Sequence, residues 1–126
     1  MKHSTLVLGL LLSMSSVAAP PAGGSWKDVK ISDITAYTDG GPAGKGYVVI
    51  TFSSNGAGTP SCASGYPRNV AIDLSTAGGG FAAAVAQSSF LSGSAVTVTG
   101  TAACSVIPTA ETLASVREVA RSPFQQ

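Results

Sequence analysis

Cys62 and Cys104 have the widest choice of chemistry of any residues in this 126-residue chain. Cys104 sits in "GTAACSVIPTAET", Gly100 to Thr112, between a run of small residues and a Pro-Thr turn. It could act as a nucleophile, a metal ligand or half of a disulfide. A nucleophilic cysteine needs a neighbouring base or cation to hold the thiolate, and zinc and copper sites draw heavily on histidine. The single histidine is His3, so the fate of the N-terminus bears on all three readings.

Lys2 and His3 precede an apolar run from Leu6 to Leu12, and Ser13 to Ala19 are small residues broken only by Met14 and Val17. This is the order of a secretory signal peptide, and the apolar run is far shorter than the roughly 20 residues that span a bilayer. A cut after Ala18 sets Ser16 and Ala18 in the two small-residue positions and avoids Pro20 directly after the cut. Residues 1–18 are therefore read as a signal peptide, and no cysteine follows the cut that could carry a lipid. The expected location is secreted or periplasmic, with no membrane insertion once the signal is removed. His3 leaves with it. Two cysteines in a short exported domain normally pair, so a Cys62–Cys104 disulfide is expected, with no metal site and no cofactor.

After residue 18, Lys27, Lys30, Lys45, Arg68, Arg117 and Arg121 are balanced by Asp28, Asp33, Asp39, Asp73, Glu111 and Glu118. Scattered and balanced charge argues against nucleic acid or an anionic membrane as partner. Without histidine neither a Ser-His-Asp nor a Cys-His arrangement can be built. A Ser-Lys pair or a two-carboxylate site remains formally open, but no spacing singles one out, and the chain is expected to be no enzyme.

The remaining residues must be positioned by one domain, since 108 residues are too few for two cores. Residues 19–25 read as a flexible Pro/Gly/Ser leader, 26–122 as the domain and 123–126 as a tail. Val29 and Ile31 alternate with polar neighbours, then Ile34 and Ala36 alternate in the opposite phase. A β-bulge near Ser32-Asp33 accounts for such a flip. "YVVITFSS" sets Val48, Ile50 and Phe52 on one face, and "NVAIDLST" does the same with Val70, Ile72 and Leu74. Thr76 is placed to cap a helix over about Ala77 to Leu91, with Phe81, Ala84, Val85, Ser88 and Leu91 on one stripe and Gly93 at its end. "AVTVTGTA" alternates as a fourth strand. Thr112 to Ala120 is read as a fifth, although Leu113, Val116 and Val119 recur every three residues. The expected fold is mainly β with one helix, a β-β-β-α-β-β small barrel of OB-fold type with one disulfide.

Cys62 with "NVAIDLSTAGGGFAAAVAQSSFLSGSAVTVTGTAACSVIPTAET" also resembles a group of small exported bacterial proteins. Their pattern is Cys, a strand ending Asp-x-Ser-Thr, an Ala-rich helix, then Gly-Thr-x-x-Cys and a Glu-Thr strand. That group in turn looks like the OB-fold binding subunits of AB5 toxins, the subtilase cytotoxin B subunit in particular. The resemblance covers Cys62 to Thr112. Two features depart from it: Ser94 stands where a basic residue is usual, and "LASVREVA" lacks an aromatic-rich last strand. It implies a non-enzymatic binding module whose partner is a glycan or an envelope protein, and it carries no individual contact residue onto this chain.

Gly78 to Ala83, "GGGFAA", satisfies a dinucleotide-type G-x-G-x-x-[GA] pattern. No acidic residue lies between Asp73 and Glu111, and the chain is too short for a doubly wound sheet. The glycines are better read as letting the helix start close to a strand. Ligand contacts are expected from the loops "TDGGPAGKG" and "SCASGYPRN", with Tyr37, Asp39, Tyr66 and Arg68 as the side chains able to stack on or hydrogen-bond a sugar; Trp26 and Tyr47 are further aromatic candidates. A structural or assembly subunit, oligomeric through an exposed strand edge, is the alternative, and a small hydrolase a more distant one.

Overall fold

The computed structural model describes residues 23–120. The expected signal peptide, residues 19–22 of the leader and the 123–126 tail lie outside the described residues. The elements run β1 (Ser25–Tyr37), β2 (Tyr47–Phe52), β3 (Asn69–Asp73), α1 (Ala77–Ser92), β4 (Ala95–Gly100) and β5 (Glu111–Glu118). The five strands close in the order β1-β2-β3-β5-β4. All neighbours are antiparallel except β3 and β5, which meet through only Val70↔Glu111 and Ala71↔Thr112. The protein is mainly β, with a closed five-stranded sheet and a helix between β3 and β4, as the element order led us to expect.

Three bulges bend the long strands so that a short chain can close. On β1, Ile31 faces Phe52 and Asp33 faces Thr51, which leaves Ser32 as an extra residue at the phase flip seen in the sequence. A second irregularity separates Trp26↔Val98 from Val29↔Val96, with Asp28 at φ 53°, a conformation that aspartate tolerates better than most residues. On β5, Gly100 faces Leu113 while Thr99 faces Ser115, so Ala114 is extra. That bulge explains the helix-like spacing of Leu113 and Val116. Both pack against the core although they are three residues apart on a strand.

The core gathers Trp26, Ile31, Val48, Ile50, Phe52, Val70, Ile72, Val96 and Val98 inside the ring. Trp26 is 1% exposed, its ring 5.2 Å from that of Phe52 and its Nε1–H donating to the Pro67 carbonyl at 3.2 Å. It is a core residue and no ligand platform, which corrects that part of the expectation. The leader is corrected too. Ser25 already pairs with Thr99 and exchanges both backbone hydrogen bonds with Ala57, so residues 23–25 belong to the domain.

The helix begins and ends as expected. Thr76 Oγ1 accepts from the Gly79 N–H at 2.9 Å, and Gly93 takes φ 68° at the C-terminus. Its orientation reverses the expectation. Phe81 and Leu91 are each 76% exposed, Val85 is 37% exposed, and Ala84 and Ser88 are exposed as well. The buried side instead presents Ala82, Ala83, Ala86 and Ser89. Gly79 lies so close to β3 that a Cβ there would strike the Asp73 carbonyl. A helix seated that tightly on the end of a small barrel must turn its small residues inward, and its large apolar residues are left outside.

The Ser89 hydroxyl on this underside is buried without a hydrogen-bond partner. Ser89→Ala should raise the unfolding free energy by about 1 kcal/mol in urea titration, because it removes an unsatisfied polar group. Ala86→Leu should lower it by about 1–3 kcal/mol by overpacking the same seam.

Candidate functional site

One end of the sheet collects the loops able to meet a ligand. Tyr37 is paired directly with Tyr47, and Tyr47 with Asp73, so β1, β2 and β3 finish in one row. With strands about 4.8 Å apart, Tyr37 stands roughly 10 Å from Asp73 along that row. The two tyrosine rings stack with centroids 4.7 Å apart and planes 16° apart. Tyr47 is half-buried against the cluster of Ala71, Val106 and Ala110, whereas Tyr37 remains 45% exposed. The glycine-rich loop between them folds back onto Tyr47, where a Cβ on Gly40 would come within 3.2 Å of the ring. Asp39 and Lys45 are exposed on that loop.

Beside the row lies a groove of about 360 Å³. Pro42 of the β1–β2 loop forms part of one wall, Asp73 at the end of β3 and Thr76 and Gly79 at the start of α1 another, and Ser105 and Val106 of the β4–β5 connection a third; Ile72 and Leu113 add apolar surface. It opens where β3 and β5 part after their two residue pairs. The polar rim is ordered by local hydrogen bonds. Asp73 accepts from the Ser75 N–H at 2.9 Å and from the Ser75 hydroxyl at 2.7 Å. The Ser105 N–H donates to Thr112 Oγ1 at 2.9 Å, and the two hydroxyls are 2.8 Å apart. The Ser75 N–H foremost, and then its hydroxyl, hold the Asp73 carboxyl below the ordinary aspartate value against an opposing effect of desolvation.

The β4–β5 connection is fixed from two sides. Cys104 is bonded to Cys62, which lies in a turn of 3-10 helix, Ser61–Ala63, in the β2–β3 connection. This is the expected disulfide. It links residues 42 apart in sequence, a closure worth about 4 kcal/mol in the chain-entropy model. The second anchor is Glu111, fully buried at the start of β5. Its carboxyl accepts the Gly24 N–H on both oxygens, at 3.0 and 2.9 Å, and the Ala102 N–H on Oε2 at 2.9 Å. Nothing in the sequence reading separated Glu111 from the other carboxylates. The available signal was an acidic residue opening a strand whose next five residues, Thr112 to Val116, are apolar or small.

The four residues expected to contact a ligand form two separate pairs. Tyr37 and Asp39 are at the grooved end. Tyr66 and Arg68 belong to the β2–β3 connection, which leaves from Phe52 at the far end of β2; the Phe52 N–H donates to the Arg68 carbonyl. The length of β2, about 17 Å, divides the pairs. Arg68 Nε donates to Asn55 Oδ1 at 3.1 Å, and Tyr66 is 53% exposed.

No family model matches the chain, and no curated protein or solved structure matches it either. The reading of the site therefore rests on its own geometry. Among the described residues no group of three or more His, Cys, Asp or Glu side chains is placed to hold a metal ion, and no helix is long and apolar enough to cross a membrane.

The Asp73 turn has a titration signature. A carboxyl whose folded pKa is depressed stabilises the fold above the ordinary aspartate pKa, and that contribution is lost as pH falls through the lowered value. In an NMR titration the Asp73 carboxyl carbon should titrate below the ordinary aspartate range of about 3.9. Ser75→Ala should move it part of the way back, because the hydroxyl is lost while the N–H donor remains.

Proposed function

We propose that this is an exported, non-enzymatic binding domain whose ligand is a carbohydrate, taken at the grooved end of the sheet. The observation that carries the reading is the Tyr37–Tyr47 stack, a pair with one ring partly exposed to solvent beside a polar-rimmed groove. A sugar ring has an apolar C–H face and a rim of hydroxyls. An exposed aromatic ring suits the first, and oriented carboxylates and hydroxyls, here Asp39, Asp73, Thr76 and Ser105, suit the second. The scaffold also supports recognition better than catalysis. The Glu111 carboxyl is fully buried on backbone N–H groups, and Asp73 is engaged by Ser75. Loops held by a closed sheet and a disulfide present a pre-organised surface, which lowers the entropic cost of binding. The signal-peptide pattern supports a location outside the cytoplasm, and the resemblance to exported proteins and toxin binding subunits supports the same role.

The test is a glycan array probed with the mature chain, followed by calorimetry on the best binder. Tyr37→Ala should weaken binding by about tenfold or more, as loss of one stacking ring requires, while Tyr66→Ala and Arg68→Ala stay within about twofold of the parent. Binding that depends on Tyr66 and Arg68 but not on Tyr37 would move the site to the opposite end of the sheet. An array with no specific binder would remove the carbohydrate.

A further inference from the structure

Among the described residues the closed sheet leaves strand edges open where its seams stop short, and the end of β1 is one of them. β1 pairs with β4 only as far as Lys30↔Ala95, whereas its pairing with β2 continues to Tyr37↔Tyr47. Asp33 to Tyr37 therefore have a strand on one side and, among the described residues, none on the other. Such an edge presents unpaired N–H and C=O groups and is a template for another strand. A groove of about 320 Å³ adjoins this stretch, lined by Ile34, Ala36 and Val48 from the sheet and by Gln87, Phe90 and Leu91 from the helix. Leu91 is 76% exposed and Phe90 40%. An open edge beside an apolar groove is how a sheet accepts an added strand, with backbone hydrogen bonds along the edge and alternate side chains in the groove.

We propose that the added strand is β1 of a second copy of this chain, antiparallel to the first across a two-fold axis at Thr35. The edge is complementary to itself in this register. Asp33 falls opposite Tyr37 of the other copy, Ile34 opposite Ala36 and Thr35 opposite itself, so the opposed pairs are acid with phenol, apolar with apolar and hydroxyl with hydroxyl, and no like charges meet. Ile34 and Ala36 line the groove in each copy. Cross-strand pairing on that face therefore brings four apolar side chains together beside Phe90 and Leu91. Neighbouring registers fail on stated grounds. An axis at Ala36 sets Asp33 against Asp39. An axis at Ile34 runs the incoming strand towards Lys30, whose edge β4 already occupies. The shared edge is about 17 Å long, so the interface is at the small end of the range and the dimer is weak. The observations behind this surface are those of the β1 edge and not those of the carbohydrate reading, although Tyr37 belongs to both. The surface gives the assembly role named in the sequence analysis a specific location.

Sedimentation of the mature chain from micromolar to millimolar concentration should show the mass rising from that of one chain to that of two. Leu91→Glu changes a side chain that the fold leaves in solvent, so the circular dichroism spectrum should hold while association weakens by about tenfold or more. Thr35→Cys should cross-link into a dimer on mild oxidation, since directly opposed residues in an antiparallel pair have Cα atoms about 4.5–5.5 Å apart, within disulfide reach. A single-chain mass across the whole range, association insensitive to Leu91→Glu, or a dimer that Thr35→Cys fails to cross-link would each overturn the proposal.

Discussion

The fold depends on one buried carboxyl. Glu111 opens β5 and supplies half of one of the two residue pairs that join β3 to β5, the thinnest seam in the ring. Its side chain reaches in the other direction to hold the start of β1 through Gly24 and the β4–β5 connection through Ala102. Two segments, one of them 87 residues away in sequence, thus converge on two oxygen atoms. Burying such a group costs several kcal/mol unless its hydrogen bonds are made, so the surroundings are shaped to make them. A Cβ at Gly24 or Gly100 would collide with the carboxyl, and Ala102 adopts φ 67°, a strained value for a residue with a side chain. The two glycines and the strained alanine are the structural counterpart of that one interaction.

The rest of the domain follows from closing a ring with small side chains. Alanine, serine and glycine on the inner face of α1 let the helix sit tightly on the barrel end, and the disulfide adds constraint where apolar burial per residue is modest. The same economy shapes the surfaces available for recognition. The β4–β5 connection lies over the outer face of β3, burying Ala71 under Val106 and Ala110. That face is unavailable to a ligand, and the accessible features move to the ends and edges of the sheet. The tyrosine row and its groove lie at one such end, and the open edge of β1 beside Phe90 and Leu91 is another.

Much of this was legible in the sequence because it is encoded locally. The alternation of Val48, Ile50 and Phe52, the phase flip at Ser32, the Thr76 cap and the Gly93 terminus each involve residues a few positions apart. The disulfide was legible from cysteine number and the expectation of export. What was hidden depends on contacts remote in sequence. The stripe of Phe81, Val85 and Leu91 has the spacing of a core face, and only the close seat of the helix on the barrel reverses it. Leu113 and Val116 mimic a helix because a bulge at Ala114 cannot be seen without its partner strand. Tyr37 with Asp39 and Tyr66 with Arg68 look equivalent in sequence, and the direction of β2 sends them to opposite ends. Glu111 was hidden most completely, since its donors come from residues 24 and 102.

Hydrogen exchange in the parent and in Glu111→Leu tests the central claim most directly. Leucine keeps an apolar side chain of similar bulk but removes both acceptor oxygens, so the Gly24 and Ala102 N–H groups lose their side-chain partners. The account predicts that these two amides lose protection together and that global stability falls by about 1–3 kcal/mol, the cost of an unsatisfied buried polar group. A Glu111→Leu variant as stable as the parent, with both amides still protected, would contradict it.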